Sequence, residues 1–191
     1  MAAPDLCALA DVKTWLQIPS GTTTDDALLS ALITQVSQWV DSYCNRNLAQ
    51  ATYTEVRDGK GGTRKMIKNY PIQSITTVKI GSVIIPLSPD GIQPGYTWDS
   101  NSITLHGYRF DKDQSNVTFV YSGGYPTGQI PSEITLAAIQ LVALRYRSRG
   151  WIGKTSEAGL SGQSASYYSK DEAPPDILNT LDNYKRRFIG F

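Results

Sequence analysis

The sequence predicts an α+β protein: a small helical bundle carrying an antiparallel β-sheet or barrel-like insertion between its second and third main helices, then an extended C-terminal arm ending in a helix. Three observations predict it. Apolar residues recur at helical spacing before residue 50 and again from Pro131 to Arg149. Between Ala51 and Gly128 they give way to short β-type runs divided by Asp58-Gly59, Gly61-Gly62, Gly81-Ser82, Pro94-Gly95 and Gly123-Gly124. After Gly153 the chain turns to Gly, Ser and charge until one last amphipathic stretch. The expected domains are residues 1–50 and 129–153 for the bundle, 51–128 for the β lobe and 154–191 for the arm and docking helix.

The segment LADVKTWL, Leu9 to Leu16, sets Leu9, Val12, Trp15 and Leu16 on one face and is halted at Ile18-Pro19, since proline disfavours helical backbone in the residue before it. The polar run Ser20 to Thr24 supplies a loop and an N-cap at Thr24, with Asp25 and Asp26 in the first turn, where carboxylates favour the helix dipole. Leu28, Leu29, Leu32, Ile33, Val36, Trp39, Val40 and Tyr43 then form the apolar side of a long second helix, the expected mate of the third. Strands are expected at Thr52 to Arg57, Arg64 to Asn69, Ile75 to Ile80, Val83 to Leu87, Ser102 to His106 and Asn116 to Tyr121, about six in all. Alternation in Ser102 to Leu105 and Val117 to Phe119 gives one buried and one wet face, which suits antiparallel pairing. The third helix opens on Pro131 and stops at Gly150, with Ile134, Ala137, Ala138, Leu141, Val142 and Leu144 as its stripe. Arg145, Arg147 and Arg149 gather at its C-terminal end, as a solvated terminus or as a contact for an acidic neighbour.

Composition narrows the chemistry. Of 191 residues, 40% are hydrophobic and 18% charged, and the net charge of +1 gives no global attraction for nucleic acid or anionic lipid. No apolar run approaches the roughly 20 residues of a membrane span, and the N-terminus does not read as a secretory signal. Cys7 and Cys44, both expected in helices, lack metal-ligand spacing and read as small buried apolar groups. His106 is the sole histidine and reads as a turn-flanking side chain. Gly59-Lys60-Gly61-Gly62 lacks the Gly-Lys-Ser/Thr ending of a phosphate loop and joins two strands, while Asp99, Asp111 and Asp113 lack calcium-loop spacing. With no nucleophile, phosphate-cradle or zinc motif, the expectation is a protein that is not an enzyme and has no catalytic residues, cofactor or metal site.

The aromatics and the arm point towards partners instead. Trp98, Tyr108, Phe110, Tyr125, Trp151, Tyr167 and Tyr168 fall in or beside loops, as contact surfaces or as satellite packing. KTSEAGLSGQSASYYSKDEAPP, from Lys154 to Pro175, has too few large aliphatics to bury itself. Beyond it Ile177, Leu181, Tyr184 and Phe188 line one face of a helix, with Lys185, Arg186 and Arg187 alongside. A helix of about 14 residues is marginal in water, so it must dock. Trp151, Tyr167, Tyr168, Ile177, Leu181, Tyr184, Lys185, Arg186, Arg187 and Phe188 are therefore the expected partner-binding residues, the apolar side finding shelter only on another molecule.

The order of these segments resembles a known family. LADVKTWL from Leu9, DDALL from Asp25 opening a helix that ends Tyr43-Cys44-Asn45-Arg46, Tyr70-Pro71-Ile72, the stretch Val117 to Tyr125 with Tyr-x-Gly-Gly-Tyr, Pro131 to Arg149 and Ile152-Gly153 are similar in sequence order to the head-to-tail connector (adaptor) proteins of tailed bacteriophages. The resemblance covers nearly the whole chain and rests on packing motifs. It implies a structural virion protein of the neck, between capsid and tail, present in the host cytoplasm during assembly. It also implies a homo-oligomeric ring, usually dodecameric, that binds the portal protein through its C-terminal segment. The opposite face would receive a tail-side stopper or terminator protein, and genomic DNA would pass through the lumen without sequence-specific binding. A β insertion this large leaves open which partner that lobe touches. The competing readings are another neck, tail-completion or base-plate component, or a carbohydrate-binding β module in which Trp98 and Tyr108 stack on sugars.

Overall fold

A computed structural model describes residues 5–149 and 173–186. Its elements are α1 (Leu9–Leu16), α2 (Asp26–Cys44), β1 (Ala51–Gly59), β2 (Arg64–Met66), β3 (Ile72–Ile80), β4 (Val83–Ile85), β5 (Gly95–Trp98), β6 (Ser102–His106), β7 (Asp113–Gly123), α3 (Ser132–Ser148) and α4 (Pro175–Asp182). The chain is α+β, and its described residues fall into two compact units: Asp5–Tyr43 with Ser132–Lys185, which holds the helices, and Cys44–Pro131 with Arg186, which holds the strands. The first boundary lies at Cys44 rather than near residue 50, because the chain beyond α2 is already tied to the β unit. Asn47 N–H donates to Asn69 Oδ1, Tyr125 N–H to the Leu48 carbonyl and Gln50 N–H to the Tyr125 carbonyl.

In the helical unit, α2 buries Leu29, Ile33, Val36 and Val40, the inward half of the expected stripe. Leu28 and Trp15 are exposed. α3 buries a broader face than expected, Ile139 and Ala143 included, while Leu144 stays exposed. By backbone approach it lies close against α1 and α4. Helix α2 begins at Asp26, so Asp25 and not Thr24 occupies the N-cap position, and the Asp25 carbonyl accepts from Leu29 N–H. Cys7 lies just before α1 and Cys44 ends α2; both are buried and neither is in a disulfide, and burial pushes the Cys7 thiol up to about 12.

Two features hold the loop ahead of α2. Lys13 is 5% exposed, and its Nζ donates to the Ser20 and Thr22 carbonyls at 3.2 and 2.6 Å and pairs with Asp26 at 2.8 Å. A buried ammonium is tolerated only when its donors are met in this way. At the other end of the loop Asp25 accepts from Tyr146 Oη–H and pairs with Arg149 at 3.5 Å.

In the β unit seven strands form, one more than expected, since Gly95–Trp98 pairs with Ser102–His106. All strand pairs are antiparallel, in a four-stranded sheet ordered β1-β7-β3-β4 and a three-stranded sheet ordered β2-β6-β5. Between them, Ser88 N–H donates to the Tyr96 carbonyl and Tyr96 N–H to the Pro86 carbonyl, joining the end of β4 to β5. Both sheets feed one core of Ile67, Ile72, Val78, Ile80, Ile85, Tyr96, Ile103, Leu105, Phe110, Val117, Phe119 and Tyr121. The strand ladders of the insertion are thus antiparallel, as its alternating strands predict, and its two sheets share one core. Phe110, placed in a loop by the sequence, sits fully in this core, edge-on to Phe119, and Tyr108 packs against it.

Tyr121-Ser122-Gly123-Gly124-Tyr125 has a direct backbone reason. A Cβ on Gly123 would stand 2.1 Å from the Asn69 carbonyl oxygen, and Gly124 holds φ +98° against the Ala49 carbonyl. Only glycine fits such an approach and such a φ.

Candidate assembly surfaces

The expected partner-binding residues divide. Trp151, Tyr167, Tyr168, Arg187 and Phe188 lie outside the described residues. Ile177 and Leu181 are 4% and 0% exposed, enclosed within the helical unit where α4 packs on α3. The chain itself covers the apolar side of this helix, which corrects the expectation that only another molecule would. The physical reason lies in α4 itself: eight residues cannot hold helical structure alone, and Pro175 at its first turn together with burial of Ile177 and Leu181 supplies what propensity does not. It is also shorter than the expected stretch to Phe188, ending at Asp182.

Polar ties fix its far end. Tyr184 Oη–H donates to Glu133 Oε2 at 2.8 Å, Tyr43 Oη–H donates to Asp182 Oδ1 at 2.6 Å, and Lys185 Nζ lies 4.2 Å over the Tyr43 ring and 3.8 Å from Asp182. Between α3 and α4 remains an open groove of about 320 Å³. Its lining is mainly polar: Glu133 and Asp176 give it two carboxylates, Gln140, Thr180 and Asn183 add neutral polar groups, and Leu136 is its exposed apolar side chain. The spacing explains the lining: Glu133, Leu136, Ala137 and Gln140 share one face of α3, as Asp176, Ile177, Thr180 and Asn183 do along α4.

Arg186 belongs to the β unit. Its N–H donates to the Cys44 carbonyl at 2.8 Å, and its guanidinium pKa is lowered, first by burial and then by Arg57, with Glu55, Tyr70 and Tyr121 opposing. Beside it is a buried polar cluster that the sequence did not signal. Arg46, 3% exposed, stacks 3.7 Å over the Tyr70 ring, lies 5.9 Å from that of Tyr125 and donates to the Tyr70 carbonyl at 2.6 Å. Glu55 Oε2 accepts from Tyr121 Oη–H at 2.8 Å and from Lys68 N–H at 3.1 Å, while its other oxygen pairs with Arg57. Tyr121 Oη in turn accepts from Asn69 N–H, and burial, reinforced by the Glu55 charge, raises its pKa far above the ordinary value. Every member has a partner, so the cluster is a structural clasp.

Both units leave apolar side chains bare, and the most exposed of them lie on the β unit. Val83 and Ile84 follow the Gly81-Ser82 turn of the β3–β4 hairpin, and Ile84 is 68% exposed. Leu87 and Ile92 are also exposed, Ile92 on a loop held by Asp90, whose Oδ1 accepts from Ile92 and Gln93 N–H. Trp98 is partly exposed beside Tyr96. No group of three or more His, Cys, Asp or Glu among the described residues is placed to hold a metal ion, and no described helix is long and apolar enough to cross a membrane.

The fold is an α+β protein of two packed units, one with a groove between α3 and α4 and the other with a bare β3–β4 hairpin tip. A head completion protein family profile matches residues 5–187. The chain belongs to that family, the head-to-tail connectors of phage-like virions. No curated protein matches the sequence. Among solved structures, the fold is similar to a chain in the neck of an empty gene transfer agent particle computed with C6 symmetry, at TM-score 0.66 and 15% identity over 100% of this chain and 96% of that one. It is likewise similar to a chain in the virion of the native particle, at TM-score 0.65 and 14% identity over 100% and 96%. A chain in the native neck computed with C12 symmetry matches at TM-score 0.63 and 13% identity over 100% and 99%.

Proposed function

We propose that this connector works as a closed, twelvefold homo-oligomeric ring under the portal protein. In this reading, residues beyond Arg149 reach the portal, the opposite face receives a tail-side stopper or terminator, and genomic DNA passes through the lumen. The family match over residues 5–187 carries the reading, and the likeness to chains of necks computed with C6 and C12 symmetry supports the ring. The net charge of +1 agrees with a passage for DNA rather than a grip, since tight phosphate binding needs a concentrated basic lining.

Chain length supports the arm. α4 lines the groove with Glu133 and Leu136, near the start of α3, so the chain leaving α3 must come back over at most that helix's length, about 25 Å. The 24 peptide steps from Arg149 to Ala173 reach roughly 80 Å when extended. That surplus is what an arm needs to leave its own subunit and return. Trp151, Tyr167 and Tyr168 are its anchors, aromatic side chains being the common centres of such contacts. Tyr184 and the basic run Lys185, Arg186 and Arg187 with Phe188 make the second contact region. Replacing Trp151, Tyr167 and Tyr168 together by Ala tests the arm. The substituted chain is expected to lose portal association while α3 and α4 keep their hydrogen-exchange protection; binding at full strength would overturn the assignment.

A further inference from the structure

We propose that the β3–β4 hairpin tip of one copy inserts into the α3–α4 groove of the next, so that these two patches form a subunit–subunit contact of the ring. The inference rests on the ring reading above and gives it a specific interface. A heterologous ring needs two different patches on every subunit, equal in number and complementary. The tip is apolar and cationic: Val83 and Ile84, 53% and 68% exposed, follow the Gly81-Ser82 turn, and the strand register sets Lys79 directly beside Ile84. From Ser74 to Leu87 Lys79 is the only charged residue. The groove has the opposite charge: Glu133 and Asp176 supply two carboxylates, no Lys or Arg lines it, and exposed Leu136 offers the apolar contact among the neutral polar Gln140, Thr180 and Asn183. About 320 Å³ is ample for two branched side chains. Exposed apolar side chains on a β-hairpin are an aggregation liability unless a partner covers them. A second copy satisfies size and charge at once and covers one tip and one groove per subunit.

The test uses the full chain assembled on portal rings. Ile84→Cys and Thr180→Cys are placed in the same chain and the assembly is mildly oxidised; Cys7 and Cys44 are buried and contribute little background. A ladder of disulfide-linked dimers and higher species is expected, and either substitution alone should give none. In parallel, Lys79→Glu and Asp176→Lys should each raise the concentration for half-assembly severalfold, and the two together should recover most of the loss. Ile84→Asp should raise it on the order of tenfold or more. A ring that forms with no ladder and with neutral charge swaps overturns the contact and leaves the ring reading standing. That pattern would also be the outcome if the portal, a tail-side protein or the chain's own arm filled the groove. Failure of the unsubstituted chain to build any ring on portal overturns both.

Discussion

The two units close by opposite strategies. The β unit takes its strands from one continuous stretch, and its seams are hydrogen-bonded: Arg46 on Tyr70, Glu55 with Tyr121 and Lys68, and the Pro86–Ser88 link to β5. The helical unit is completed from far along the sequence, because α4 arrives after the long connection from α3 and buries Ile177 and Leu181. A unit sealed by a returning segment has its stability coupled to whatever that connection does. Loss of α4's cover should therefore loosen the helical unit while leaving the core of the β unit intact.

Substitutions that melt one unit and spare the other break this comparison most sharply. Phe119→Ala removes a fully buried ring from the β core and should destabilise that unit by about 3–5 kcal/mol, with amide exchange rising in β3 and β7 and unchanged in α3. Leu181→Ala should cost the helical unit about 2–5 kcal/mol and release exchange in α3 and α4 instead. Equal loss of protection in both units for either variant would show that they unfold as one. Arg46→Ala comes next, at about 2–3 kcal/mol in the β unit by chemical denaturation, from a lost carbonyl hydrogen bond and cation–π stacking. Lys at this position should recover only part, since it lacks the planar stacking surface. Tyr121→Phe leaves Glu55 and Asn69 N–H short of a partner and should cost about 1–2 kcal/mol in the same assay.

The smallest expected effect is one of pH. The Tyr146 hydroxyl foremost, then Arg149, holds the Asp25 carboxyl below its ordinary 3.8. A depressed carboxyl contributes stability that is present above the unfolded value and is lost as pH falls through the folded one. The melting temperature of the helical unit should therefore slip a little further for the native chain than for Asp25→Asn as pH falls below about 4, and the two should respond alike at neutral pH. Parallel curves throughout would remove Asp25 from the account.

Much of the architecture was legible because periodicity reports burial. The alternation of Val117 to Phe119 survives intact in β7, and the apolar steps of α2 face inward at Leu29, Ile33, Val36 and Val40. Periodicity fails where a side chain's partner is distant in sequence. Nothing in LADVKTWL marks Lys13 as buried, because its three acceptors lie in a loop and the next helix. Arg46 gives no sign that Tyr70 and Tyr125 will enclose it. The amphipathic face of Ile177 and Leu181 was read correctly as needing cover, but amphipathicity cannot say whose surface supplies it, and here α3 of the same chain does. Of the surfaces, the groove needed the meeting of α3 and α4, and the bare tip at Val83 and Ile84 read as ordinary strand.

Mass photometry of the full chain mixed with purified portal rings tests the central claim most directly. The account predicts a single new species heavier than the portal by about twelve times 21.0 kDa. A portal peak unchanged at saturating chain, or one that gains scattered single copies with no closed-ring species, would contradict it.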